Sequence, residues 1–201
     1  MNCQNFYSQI KVHTIVNSLF SSKTYVIYHN NYNFCYIIDC GDYDKIKKWL
    51  KENEKTIVGV FITHTHFDHI YGLNELIKEF PKCVVYTSNN GKYGLASNKF
   101  NLSLFQGKDF IFNKEEAIQI LSDKNRLELF TGIFINIIET PGHDWSCLSY
   151  FIDDLIFTGD SYIPGTKVVD TFPKSNKKKA EESIKLILNQ VKSSSIIFPG
   201  H

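Results

Sequence analysis

No stretch of the 201-residue sequence is long and apolar enough to span a bilayer; the longest apolar runs, such as Gly132 to Ile138, are strand-sized. Neither sign of charge dominates. The 22 Lys and Arg are matched by 21 Asp and Glu, a net charge of +1, which excludes nucleic-acid binding by bulk charge and leaves only a local basic patch to consider. No Cys-x-x-Cys pair is present. The five cysteines, Cys3, Cys35, Cys40, Cys83 and Cys147, are odd in number and scattered, so they read as buried free thiols of a reducing compartment. The segment from Met1 to Gln9 is polar and lacks the apolar core of a signal peptide, which sets the expectation of a cytoplasmic protein. No internal repeat or low-complexity linker divides the chain, and its length suits one domain over residues 1–201. Hydrophobic residues make up 43% and charged residues 21%, enough to bury a core and keep a charged surface.

What is present is a succession of short β-branched and aromatic runs. Lys11 to Phe20, Thr24 to His29 and Phe34 to Asp39 read as strands, with a turn at Asn30-Asn31. Asp42 is placed to cap a helix over Tyr43 to Asn53, with Ile46, Trp49 and Leu50 on one face. Thr56 to Thr63 is a buried strand by its apolar run, followed by a helix over Ile70 to Phe80 that Pro81 closes. Cys83 to Thr87 is a strand, and Asn89 to Gly107, rich in Asn, Gly and Ser, reads as a long loop. Further strands are expected at Phe110 to Phe112, Leu127 to Phe130 and Ile133 to Glu139, then a hairpin of Leu148 to Ile152 and Leu155 to Thr158 across Asp153-Asp154. A helix over Lys178 to Val191 and a strand over Ser195 to Phe198 complete the chain. Strands and helices alternate without a strict βαβ rhythm, which predicts two packed sheets with helices outside.

The polar clusters sit where these strands end. Thr63-His64-Thr65-His66-Phe67-Asp68-His69 places four metal-capable side chains within six residues; imidazole and carboxylate are the usual ligands of zinc and of iron or manganese. Asp68 as a helix cap and one core histidine would explain part of that run, but not all of it. Thr140-Pro141-Gly142-His143, Phe157-Thr158-Gly159-Asp160 and Phe198-Pro199-Gly200-His201 each add one more donor just past a strand. Alone, each reads as a turn; their shared position on one rim makes a site. Cys147 reads as packing rather than as a thiolate ligand, and His13 and His29 as structural or exposed. Lys167, Lys174, Lys177, Lys178 and Lys179 follow Asp160 and form either a solvated helix start or a basic lip for an anionic substrate.

The HTHFDH run, the TPGH, the FTGD and the terminal PGH resemble the ligand motifs of the metallo-β-lactamase superfamily, in the family's order and over nearly the whole chain. Ile38-Asp39-Cys40-Gly41-Asp42 is similar to the strand-end segment before that family's first helix. The resemblance implies an α+β fold, a four-layer αββα sandwich, with the site at one edge of the sheets. It implies that His64, His66 and His143 hold one metal, that Asp68, His69 and His201 hold the other, and that Asp160 bridges them. The best-known β-lactamases carry a cysteine where this chain has Asp160, so the resemblance is nearer to the glyoxalase II-like and general hydrolase branches. Glyoxalase II adds a helical C-terminal domain that binds the glutathione thioester, and the family's nucleases add inserted domains or RNA-gripping arms; this chain ends at His201.

The expected cofactors are two divalent ions, zinc first, with iron or manganese as alternatives. Two such ions about 3.5–4 Å apart share an activated water at neutral pH, so no Ser or Cys nucleophile is needed. Asp160 and Asp68 are the residues expected to act in catalysis. The expected substrate is a carboxylic ester or thioester of a small molecule, with neither nucleic acid nor membrane as partner. The alternative is an oxidoreductase built around a single iron, as in the persulfide dioxygenases that share a similar motif set.

Overall fold

The computed structural model describes residues 10–201; the Cys3 thiol and the polar segment from Met1 to Gln9 lie outside the described residues. Six strands form one sheet: β1 (Ile10–Val16), β2 (Lys23–His29), β3 (Phe34–Ile38), β4 (Thr56–Phe61), β5 (Val84–Ser88) and β6 (Ile118–Leu121), hydrogen-bonded in chain order. β7 (Arg126–Phe130), β8 (Ile133–Glu139), β9 (Leu148–Ile152), β10 (Leu155–Gly159) and β11 (Ile196–Pro199) form the second, in the order β11-β10-β9-β8-β7. Helices α1 (Tyr43–Glu52), α2 (Leu73–Glu79) and α3 (Asn89–Leu95) belong to the first sheet and α4 (Lys177–Leu188) to the second.

The period-2 alternation of each strand divides its side chains between two cores. On β2, Tyr25 and Ile27 point between the sheets while Val26 faces the helices. Phe61 at the end of β4 joins the inter-sheet core, and its neighbours Val60 and Ile62 pack with Ile46, Leu50, Leu73 and Leu76 of α1 and α2. The second sheet repeats this: Tyr150 and Phe157 face inward, Phe151 and Ile156 outward onto Ile187 of α4. Helix, sheet, sheet and helix make the four layers expected.

Several local expectations need correction. The segment Asn89 to Gly107 is not all loop: α3 begins at its first residue, and Ser88 caps it by accepting a hydrogen bond from Gly91 N at 2.9 Å. Asn and Gly are poor helix formers, but close packing overrides that preference. A Cβ on Gly94 would lie 2.1 Å from Thr65 Oγ1 and one on Gly91 1.9 Å from Thr87 Oγ1, so these two glycines let the helix lie close against the metal-capable loop and the end of β5. Phe110 to Phe112 is no strand; Phe110 and Phe112 are buried plugs in the helix-side core, their backbone held by Ser103 Oγ and Leu95 O. The strand that pairs with β5 is β6, which the alternation did not reveal. β1 stops at Val16, because Phe20 and Ser21 turn with φ of +53° and +57°. Among the described residues, no helix is long and apolar enough to cross a membrane. Cys35, Cys40, Cys83 and Cys147 are buried and unpaired, as expected.

Candidate metal centre

Four strand ends converge on one rim. β4 delivers Thr63 and His64; a short 3-10 turn, Phe67–His69, swings Asp68 and His69 back towards them. β8 leads into His143, β10 into Asp160 and β11 into His201. β10 and β11 run parallel with Gly159 opposite Pro199, which sets Asp160 beside His201. Gly200 is required there: a Cβ would stand 1.9 Å from Asp160 Oδ1. Across the sheets, Leu148 N donates to Thr63 O at 2.7 Å and Tyr150 Oη to Ile62 O at 2.6 Å, so the two edges are fastened at the site.

All seven residues singled out in the sequence are brought together. His64, His66 and His143 form one group whose donor atoms lie within 4.8 Å of one another, and Asp68, His69 and His201 form another. Asp160 stands between them. Its Oδ2 is 3.9 Å from His64 Nε2, 3.4 Å from His143 Nε2 and 3.4 Å from His201 Nε2, and its Oδ1 is 3.6 Å from His69 Nε2. Asp68 Oδ2 lies 3.3 Å from both His69 Nε2 and His201 Nε2.

The donor set fits cations. His64 Nε2 and Asp160 Oδ1 are buried with no hydrogen-bond partner, an arrangement that costs about 1–3 kcal/mol per group unless something else satisfies it. Ring nitrogens also face one another, His66 Nδ1 to His143 Nε2 at 3.0 Å and His69 Nε2 to His201 Nε2 at 3.3 Å. Two nitrogens on a tetrahedral zinc, each bonded at about 2.0–2.1 Å, stand about 3.3 Å apart. The far sides of the rings are tethered, as metal-ligating imidazoles usually are. His69 Nδ1 pairs with Asp39 Oδ2 at 2.9 Å, His143 Nδ1 with Val169 O at 2.8 Å and His201 Nδ1 with Phe20 O at 3.0 Å.

The side chains tune one another's protons. Burial, with the neighbouring histidines adding to it, drives His64 well below the usual histidine value, and burial followed by His143 pushes His66 down to about 3. Burial also opposes charge on His69, but Asp68, Asp160 and Asp39 outweigh it and raise that ring to about 9. Hydrogen bonds to Asp160 and Asp68 raise His201 to about 10. Burial disfavours the Asp160 anion as well, yet His69, His201 and His64 hold it well below the usual carboxylate range.

Two further carboxylates, Asp39 and Asp144, stand behind the donor residues. Asp39 sits at φ +58°, a left-handed conformation rare outside glycine, and accepts from Thr63 N and Thr63 Oγ1, both at 2.7 Å, as well as pairing with His69. Its signal was the Ile38-Asp39-Cys40-Gly41 strand end. Asp144, buried beside His143, had a fainter one: no Lys or Arg lies between residues 140 and 152 to pair with it. Cys147 is buried, its thiol pushed well above the ordinary value by burial, and it is in none of the donor groups. His13 stacks on Trp49 at 5.5 Å, and His29 is buried with Nδ1 accepting from Asn31 N at 3.1 Å. The five lysines separate. Lys167 lines the cavity at the site, Lys174 lies 4.5 Å and 4.3 Å over the rings of Phe100 and Trp145, and Lys177, Lys178 and Lys179 begin α4.

That cavity measures about 260 Å³ and is otherwise walled by Phe20, Phe67, Leu102, Ile163, Val169 and Phe172 among others. Phe172 packs edge-on against His66, ring centres 4.9 Å apart.

A probable metallo-hydrolase of Streptococcus pyogenes serotype M6 is 29% identical over 197 residues, covering 96% of this chain and 84% of that protein. A hydroxyacylglutathione hydrolase of Pseudoalteromonas translucida is 28% identical over 152 residues, 71% of this chain and 51% of that protein. The chain thus spans about half the length of the hydroxyacylglutathione hydrolases it matches. Among solved structures, the BLEG-1 B3 metallo-beta-lactamase superposes with a TM-score of 0.87 at 23% identity, covering 95% of this chain and 91% of that one. TTHA1623, solved in a di-iron-bound form, gives 0.80 at 19% identity, covering 94% and 92%. ETHE1 from Myxococcus xanthus gives 0.75 at 22%, covering 95% and 75%. At these identities the structures establish the fold alone. Residues 18–201 match the metallo-beta-lactamase superfamily, and with the four-layer fold and the rim of His and Asp donors behind that match, the chain belongs to this superfamily of metallo-hydrolases.

Proposed function

We propose that the chain is a binuclear metal-dependent hydrolase of a small-molecule carboxylic ester or thioester. The observation that carries this reading is the pair of donor groups with Asp160 between them. His64, His66 and His143 would hold one divalent ion, Asp68, His69 and His201 the other, and Asp160 both. Two such ions would supply Lewis acidity and a water acidic enough to react near neutral pH.

The chain's own residues do the rest. Asp160, held as an anion, keeps the two groups at a fixed spacing, and Asp39 and Val169 fix the rings that face it. Asp68 presents Oδ2 to the second group and, on this reading, orients the attacking water. The apolar wall of Phe67, Ile163 and Phe172 lowers the local dielectric, which strengthens every charge interaction at the reacting carbonyl. Lys167 stands at the cavity as a cation for an anionic group on the substrate. The cavity accommodates a small molecule, and the hydroxyacylglutathione hydrolases among the relatives take an acyl group carried on a thiol, which favours the thioester.

The test is elemental analysis of the purified protein, then a screen of thioesters, esters and lactones. Two divalent ions per chain and thioester turnover are the expected outcome. One iron per chain with oxygen uptake on persulfides would replace the hydrolase with the single-iron oxidoreductase.

A further inference from the structure

Two buried polar atoms face each other at the edge of the donor cluster with nothing else to bond. His66 Nε2 and Asp144 Oδ2 each lack a hydrogen-bond partner, and they lie 3.7 Å apart. Both residues are buried, Asp144 almost completely. The ring on the open side of His66 is Phe172, and the other oxygen of Asp144 is engaged, accepting from Ser146 N at 2.8 Å and from Ser146 Oγ. A shift of under about 1 Å would bring the pair into hydrogen-bond range.

His66 also differs from its neighbours in which nitrogen it offers. His64, His69, His143 and His201 all present Nε2 to Asp160, whereas His66 presents Nδ1 to the centre, 3.0 Å from His143 Nε2, and turns Nε2 away towards Asp144. A neutral imidazole carries one proton, and the nitrogen without it has the lone pair that can ligate. For Nδ1 to be the donor atom, the proton must sit on Nε2.

We propose that Asp144 is a positioning residue that holds His66 in the Nε2–H tautomer, so that the Nδ1 lone pair is offered to the first metal. This rests on the reading of His66 as a ligand. The carboxylate accepts the Nε2 proton and sets the ring's rotation. The same residue clamps the turn after His143 through Ser146, whose hydroxyl accepts from Thr65 N at 3.2 Å, so His66 and His143 are oriented by one side chain.

Asp144→Asn is the sharpest variant. Ser146 N–H can only donate, so the amide oxygen must take the Oδ1 position, and the amide nitrogen then faces His66 Nε2. A donor there forces Nε2 to accept and moves the proton to Nδ1. The expected result in ¹⁵N–¹H spectra of metal-free protein is an Nε2–H signal for His66 in the unsubstituted chain and an Nδ1–H signal in the variant. Zinc affinity, read by chelator competition, should fall about 10–100-fold for one equivalent. Ser146→Ala loosens the same turn without touching Oδ2, so it should keep the tautomer and most of the affinity. An Nδ1–H tautomer in the unsubstituted chain overturns the proposal, and needs no variant to fold. So does Asp144→Asn with unchanged zinc affinity, or Ser146→Ala with an equal loss. His66→Ala that retains both ions overturns the ligand reading instead.

Discussion

The His64, His66, His143 group and the Asp68, His69, His201 group share Asp160 but handle protons and water in opposite ways. In the first, three imidazoles are buried close together, and burial outweighs the pull of the carboxylates and keeps His64 and His66 neutral. In the second, Asp68 and Asp39 join Asp160 around two imidazoles, and those carboxylates raise His69 to about 9 and His201 to about 10. The second group is also more open: the His201 side chain is 29% exposed and that of His64 fully buried. Ligand type alone therefore does not decide how ready a site is. An imidazole among imidazoles is already deprotonated for a cation, and one among carboxylates must first lose a proton.

Removing what the two groups share should have the largest effect. Asp160→Asn keeps the size and drops the charge. It is expected to release at least one ion and to lower kcat by more than the roughly 10–100-fold typical of residues behind the ligands, with KM little changed. Metal stoichiometry and steady-state kinetics check this; both ions retained with near-normal turnover would leave Asp160 as a turn residue.

His66→Ala attacks the first group alone. Activity should disappear and metal content fall, while far-UV circular dichroism stays that of the folded chain because the rim is not part of the main cores. Full turnover by this variant on a substrate from the screen would break the assignment of the first group.

pH should separate the groups without mutation. Below about 9, His69 and His201 are protonated in the metal-free chain, so a cation binding there must displace protons. The affinity of the second group for zinc is expected to rise about tenfold per pH unit for each proton released, from pH 7 towards 9. His64 and His66 are already neutral at pH 7, so the first group should change little over that range. Parallel pH slopes for both ions would erase the contrast.

Stability of the metal-free chain should follow the opposite course. The raised values of His69 and His201 contribute stability that is fully present below the unfolded histidine value of about 6.5 and is lost as pH rises through about 9 to 10. His66, depressed to about 3, has the reverse sign. From about 6.5 downward the unfolded chain binds the proton that the folded chain refuses, so stability falls. Urea midpoints should therefore peak near pH 6.5, and a midpoint still climbing at pH 9 would contradict the raised values.

Cys147→Ser, next to the cluster but outside it, should be nearly silent for metal binding. Loss of one equivalent on titration would bring its thiol among the ligands.

Much of this was written in local sequence. Imidazole and carboxylate chemistry belongs to the residues themselves, and a donor just past an apolar strand lands at a sheet edge whatever the rest of the fold does. That is why His64, His143, Asp160 and His201 could be picked out, and why strands and helices that alternate without a strict βαβ rhythm pointed to two packed sheets. Propensity misled where packing outweighed it. α3 forms despite its Asn and Gly, capped by Ser88 and packed through Gly94 and Leu95, and Phe110 and Phe112 fill a core without pairing as a strand. Only the tertiary structure could decide which nitrogen each ring turns inward, which carboxylate stands behind it, and where the protons rest. Asp39 meets His69 across 30 positions and His201 meets Asp68 across 133, and a proton's energy depends on charges brought near in space, to which distance along the chain is no guide.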